Sequence, residues 1–331
     1  MAKRTLGLDI GSRYVSVYLE GRGVIATESN RIALDVNTKE AVAYGNEAES
    51  MARRTPGSVL LINPLFEGNI SDHDGMVMVL DEIFSGIGIS KPDIILALGT
   101  ETHDAEKRTL GTMLAELGAR SVSYINKPTA CALGSELDLA DNRSMITLNI
   151  GAGITNVGLI KGCVTRFEQA VRYGCNKLDA AVAAYIKREL SATVDEDTLA
   201  GIRRKVGSVH SSCDMGETRF SGRDAVTGLP VTMSITSEET RVIMLPIANY
   251  ICKVVSALYN GLPGEVRADI EKRGILLSGG GALTGGIDAL LRESTGLPVT
   301  VSSAPLDCVI NGIGIAIENR NVFDLLIKEL V

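Results

Sequence analysis

Two stretches of this chain repeat one pattern. Leu8–Gly21 reads L-D-I-G-S-R-Y-V-S-V-Y-L-E-G, and Thr147–Gly162 reads T-L-N-I-G-A-G-I-T-N-V-G-L-I-K-G. Asp9 aligns with Asn149, Ile10 with Ile150, Gly11 with Gly151, Val17 with Val157 and Leu19 with Leu159. Each has an apolar run, a glycine turn and a second run of alternating character. That is the pattern of a strand, a tight turn and a return strand. A glycine turn leaves backbone N–H groups uncovered, and such groups bind anions, phosphate above all. The duplication predicts two similar halves closing on one polyphosphate. A third cluster, Gly279-Gly280-Gly281, ends an apolar strand and opens a helix. Backbone can approach a ligand closely there, and a helix N-terminus adds partial positive charge.

The length of 331 residues suggests about two domains. Aromatic residues make up 4% and Trp is absent, so the core is aliphatic. A net charge of −7 excludes a general nucleic-acid binder, which needs a basic face. None of Cys131, Cys163, Cys175, Cys213, Cys252 and Cys308 falls in a C-x-x-C pair. They read as reduced thiols rather than a zinc framework. Met1-Ala2-Lys3-Arg4 leads straight into the first strand without a signal peptide. No apolar run approaches the ~20 residues of a membrane span.

Strand hairpins alternate with helices, which predicts mixed α/β layers. Helices are expected over Glu47–Arg54, Gly75–Ile87, Thr102–Leu117, Thr129–Leu137, Leu178–Leu190, Asp195–Val206, Glu238–Leu262, Gly285–Ser294, Ile310–Ile317 and Phe323–Leu330. Asn63–Gly68 reads as a loop. Thr218–Ser221 and Val231–Ile235 read as a hairpin arm around the polar loop Gly222–Pro230. Ser237-x-x-Thr240 reads as the start of the long helix.

These stretches resemble the actin, Hsp70 and sugar-kinase superfamily, and within it the bacterial actins of the MreB type. The matching residues include Gly7–Gly11, Gly21-Arg22-Gly23, Arg54–Gly57, Pro128–Gly134, Ser278–Leu283 and Thr295–Val299. Gly222–Pro230 is the most diagnostic, because Hsp70 and the kinases lack it. The resemblance implies an actin-like ATPase fold, with two RNase H-like domains around a nucleotide cleft and a small subdomain on each. Domain I would span 1–145 with 310–331, its subdomain about 30–65. Domain II would span 146–309, its subdomain about 178–240. The implied ligands are ATP, or another NTP, with Mg²⁺. Gly11, Ser12, Arg13 and Tyr14 would form the first phosphate loop. Gly151, Ala152, Gly153, Ile154 and Thr155 would form the second. Gly279, Gly280 and Gly281 would flank the adenosine, with Arg203 and Lys205 near ribose and base. Asp9 would hold the metal through water.

The sequence departs from the family pattern where hydrolysis happens. The family's Glu-Glu before Pro128 is Asn126-Lys127. The Asp that opens the second loop is Asn149, and Gly-Gly-Asp is Gly174-Cys175-Asn176. The ribose-side Glu is Lys205, and an Asn of the first loop is Tyr14. Amides and cations neither act as base nor bind Mg²⁺ strongly. The expectation is a nucleotide binder with weak or absent ATP hydrolysis and weakened Mg²⁺ binding.

The resemblance implies a cytoplasmic protein that assembles head-to-tail with itself, a contact that does not close. Other MreB paralogues and cell-envelope morphogenesis proteins are the further partners it implies. Membrane association is the open alternative: the family reaches the membrane by an N-terminal amphipathic helix or an apolar loop, and here the candidate loop is Phe84–Ile89, which reads either as insertion or as core packing at a helix end. Two other functions stay open on the sequence. One is a small-molecule kinase, which needs a cleft Asp where Asn149 stands; the other is a non-polymerising regulatory paralogue.

Overall fold

The computed structural model describes residues 4–55, 57–135, 137 and 141–330. By internal contacts the chain divides into two units. The first is Met1–Asn142 with Gly158–Ala170 and Asp307–Val331; the second is Arg143–Val157 with Val171–Leu306. The division passes through a hairpin, Thr155–Lys161 and Val164–Val171, that the sequence assigns wholly to the second half.

In the first unit a six-stranded sheet runs in the order Ile327–Glu329, Ser121–Asn126, Asp93–Leu98, Thr5–Ile10, Tyr14–Leu19, Gly23–Ser29. Strands 121–126, 93–98 and 5–10 are parallel neighbours, with Leu6 opposite Ile94 and Ile94 opposite Val122. Leu6, Leu8, Ile94, Leu96 and Leu98 form one core with Met76, Leu80 and Ile83 of helix His73–Ile87. Met113 and Leu114 of helix Asp104–Glu116 join it. Phe84, Ile87 and Ile89 pack against this core, which is the second of the two readings of that segment.

On the other face lies helix Cys308–Glu318. A Cβ at Gly7 would sit 2.6 Å from Ile313, so strand and helix meet closely. The same helix meets helix Lys127–Leu133 backbone to backbone. A Cβ on Gly312 would lie 1.8 Å from the Ala130 carbonyl oxygen, and one on Gly134 would lie 1.9 Å from that of Cys308. Only hydrogen fits at either position. A smaller sheet, ordered Ala41–Tyr44, Ile32–Asp35, Val59–Ile62, carries helix Gly45–Arg54.

In the second unit Ser144–Ile150, Ile275–Ser278 and Val299–Val301 run parallel in that order. Helix Gly264–Arg273 packs on strand Ser144–Ile150 and helix Ile287–Thr295 on Val299–Val301, while helix Ser237–Asn260 meets both Ile287–Thr295 and Cys175–Glu189. A three-stranded antiparallel sheet joins Ala192–Thr193, Glu217–Asp224 and Pro230–Thr236.

Several sequence expectations change. The segment 323–330 is not a helix. It makes a 3₁₀ turn at Asp324–Leu326 and then a strand, because Ile327–Glu329 finds a partner edge at Ser123–Ile125. The helix after Pro128 stops at Leu133, since Gly134 packs against Cys308; residue 136 lies outside the described residues. The polar loop of the arm shrinks to 225–229, because Asp224 accepts hydrogen bonds from the N–H groups of Val226 and Thr227. The long helix is capped by Thr236 rather than Ser237, in a reciprocal box with Glu239. This helix is long and apolar enough to cross a membrane by length and composition. Its buried residues Thr240, Met244, Ala248, Ile251, Cys252 and Val255 recur every three or four positions, as in a core-facing stripe. Asn63–Gly68 contains half of a two-residue ladder, Leu65–Phe66 with Asn69–Ile70, and helix Gly264–Arg273 lies where no element was expected.

Candidate functional site

The two glycine turns close identically. The N–H of Gly11 donates to the carbonyl of Tyr14 at 2.9 Å, and the N–H of Gly151 donates to that of Ile154 at 2.8 Å. A Cβ on either glycine would sit 3.0 Å from the accepting oxygen. Each turn follows the C-terminal end of a strand that lies in a parallel array, the end at which open α/β sheets bind ligands. Among the described residues the N–H groups of Ser12, Ala152 and Gly153 meet no protein acceptor. Such amides form an anion-binding concavity.

The first turn is held from below. Asn30, fully buried, donates its side-chain amide to the Gly11 carbonyl at 2.9 Å and its N–H to the Arg13 carbonyl at 2.9 Å. The Arg13 guanidinium lies 3.3 Å from the Glu49 carboxylate, which also meets Arg31, Arg53 and the Ser29 hydroxyl. Arg13 therefore ties the loop to helix Gly45–Arg54. Tyr14 is 42% exposed and opens the return strand.

Asp9, Glu101 and Lys127 belong to the ends of the three parallel strands 5–10, 93–98 and 121–126. Lys127 points inward. Its Nζ lies 3.5 Å from Glu101 Oε1, and both side chains are largely buried. Burial works against its charge, but Glu101, Asp9 and Glu168 outweigh burial and raise its pKa. Burial raises the Asp9 carboxyl, with Lys127 acting against it. Burial and then Glu101 push Glu168 up to about 8 against the pull of Lys127. Asn126 takes no part in this cluster: its Oδ1 accepts from Lys328 Nζ at 3.4 Å.

The second unit assembles its own group. Asn149 Oδ1 accepts from the Ser278 hydroxyl at 3.3 Å. Gly279, at φ +80°, lies against it, since a Cβ there would be 2.4 Å from the Ile150 carbonyl oxygen. The Cys175 and Asn176 N–H groups, at the start of helix Cys175–Glu189, donate to the carbonyls of Gly151 and Ala152. The helix N-terminus is thus packed onto the second loop. The buried Thr155 hydroxyl donates to the Tyr173 carbonyl, so it braces this loop. Gly280 and Gly281 form a 3₁₀ turn against Ile150. Burial pushes the Cys175 thiol up to about 11, so it stays protonated.

Arg203 and Lys205 lie in different surroundings. They are two residues apart on helix Glu196–Val206, where such neighbours point away from each other. Arg203 is buried and ion-paired with Asp179 at 2.7 Å, while Lys205 is exposed.

Sequence reasoning missed Asn30, Glu49, Glu101 and Glu168. Each comes from outside the glycine motifs, and only the folded sheet brings it to them.

The family model described as MreB/Mbl protein matches residues 3–324. The chain belongs to the MreB/Mbl family. This MreB/Mbl chain is 32% identical over 323 residues to the cell shape-determining protein Mbl of Bacillus cereus, covering 96% of this chain and 97% of that one. Its structure resembles MreB 5 of Spiroplasma citri solved with AMPPNP, with a TM-score of 0.89, 26% identity and 98% of each chain covered. It also resembles a chain of the MamK double helical filament, with a TM-score of 0.79, 18% identity and 95% and 98% coverage; at that identity the likeness concerns the fold alone. The fold is that of the actin-like ATPases.

Proposed function

We propose that this MreB/Mbl chain is a nucleotide-binding, actin-like cytoskeletal protein that forms filaments or scaffolds in cell-shape determination and hydrolyses ATP slowly. The observation that carries the reading is the pair of identically closed glycine turns, with amide groups open to an anion at each. The relative crystallised with AMPPNP supports a nucleotide as that anion, and the cell-shape role of the Bacillus cereus relative supports the biological setting. The backbone amide of Ser12 in the first unit, and those of Ala152 and Gly153 in the second, are each suited to bind phosphate. The Gly279–Gly281 turn lies beside the adenosine. The protein works in the cytoplasm and assembles head-to-tail with itself.

Slow hydrolysis follows from Lys127. An ammonium donates hydrogen bonds only and takes no proton from an attacking water. Loss of such a base typically costs ~10²–10⁴-fold.

The residues present do not fit the Mg²⁺ ion that the family implies. Asp9 faces an ammonium, and Asn149 is neutral and engaged with Ser278. Among the described residues no group of three or more His, Cys, Asp or Glu converges as metal ligands.

Sedimentation with and without ATP tests the assembly half of the proposal: a nucleotide-dependent pellet is expected, and a monomer at every concentration refutes it. Phosphate release tests the other half. A rate equal to that of the Bacillus cereus Mbl relative refutes slow turnover.

A further inference from the structure

The buried acids of the first unit already have a cation. Lys127 opens its helix directly after strand Ser121–Asn126, and its ammonium lies 3.5 Å from Glu101. Asp9 and Glu168 act on the same ammonium. Glu168 Oε1 is buried with no hydrogen-bond partner among the described residues. Asp9 stands two residues before Gly11, so the ammonium and the first anion turn belong to the same end of one sheet.

Replacing a carboxylate by an ammonium changes the local charge by two units. That is the charge a divalent ion supplies. A desolvated ammonium is a compact point charge that contacts phosphate strongly, and low-polarity surroundings strengthen the attraction. It is also covalently attached, so it does not depend on free ion concentration. A divalent ion entering beside it would meet like charge.

We propose that the Lys127 ammonium takes the place of Mg²⁺ as counter-cation to the nucleotide phosphates, so that this chain binds ATP and ADP without a divalent metal. The inference rests on the nucleotide reading above. The full chain is titrated with a fluorescent ATP analogue at fixed ionic strength, in Mg²⁺ and in EDTA. The Kd in EDTA is expected within about threefold of that in Mg²⁺. Weakening by about tenfold or more in EDTA overturns the inference and leaves nucleotide binding standing. No binding in either condition overturns both.

Lys127→Glu is expected to make binding depend on Mg²⁺ by about tenfold or more. Because that variant crowds carboxylates together, Lys127→Gln is the companion, expected to bind about tenfold more weakly in EDTA than the unaltered chain. Thermal melts establish that each is folded. A folded variant of either kind that binds in EDTA as the unaltered chain does overturns the inference.

Discussion

The side-chain amide of Asn30 supports the carbonyl of Gly11 at 2.9 Å, from a position with no exposed surface. Asn30→Leu removes that donor and leaves the half-buried Gly11 carbonyl without this partner. The expected loss is about 1–3 kcal/mol of stability, with weaker nucleotide binding because the Gly11 turn loses its brace. Urea denaturation and nucleotide titration of the same preparation measure both.

Gly279 meets two constraints at once. Its φ is +80°, and a Cβ would sit 2.4 Å from the Ile150 carbonyl. Gly279→Ala is therefore expected to cost about 2 kcal/mol or more and to displace Asn149 from the second loop. A lowered melting temperature together with lost nucleotide affinity is the predicted result.

Glu49 gathers Arg13, Arg31, Arg53 and Ser29 around one buried carboxylate. Glu49→Ala removes the carboxylate that lies 3.7 Å from the Arg31 guanidinium, which is 3% exposed. Removing one member of a buried ionic group costs about 3–5 kcal/mol. Denaturant midpoints of the variant and the unaltered chain give the difference directly.

Burial pushes the Glu168 carboxyl up to about 8, from 4.5 for an unperturbed glutamate. Its folded state holds the proton more tightly than the unfolded chain does. Its contribution to stability is full below about 4.5 and is lost as pH rises through about 8. The decline is at most about 1.4 kcal/mol per pH unit. Glu168→Gln is expected to flatten the stability profile between pH 5 and about 8. Denaturation series across that range, run on both proteins, reveal the difference in slope.

The strands that alternate or run apolar beside a glycine were legible before folding, as Asp93–Leu98 and the two hairpins illustrate. The capping signal T-x-x-E at Thr236–Glu239 was also present in the letters, but the serine next to it obscured it. The segment 323–330 was not legible: a short apolar run fits helix or strand equally, and its partner lies about 200 residues away. Helix Gly264–Arg273 buries only Ile270, so it shows almost no periodicity to read. The site divides in the same way. Its glycine turns are local and visible. Its charges, from Glu101 to Glu168, are distant in sequence and meet only when strands from three regions align.

Helices Lys127–Leu133 and Cys308–Glu318 touch through bare peptide groups at Gly134 and Gly312, and the Cys308 thiol donates to the Cys131 carbonyl across the same contact. A contact cushioned by side chains absorbs a shift by changing rotamers; at these two glycines there is no such slack. Any displacement of helix Cys308–Glu318 is handed on at those points to the segment that begins with Lys127. The ammonium at the carboxy-terminal end of the parallel strands is therefore mechanically geared to a helix that lies about 180 residues further along the chain.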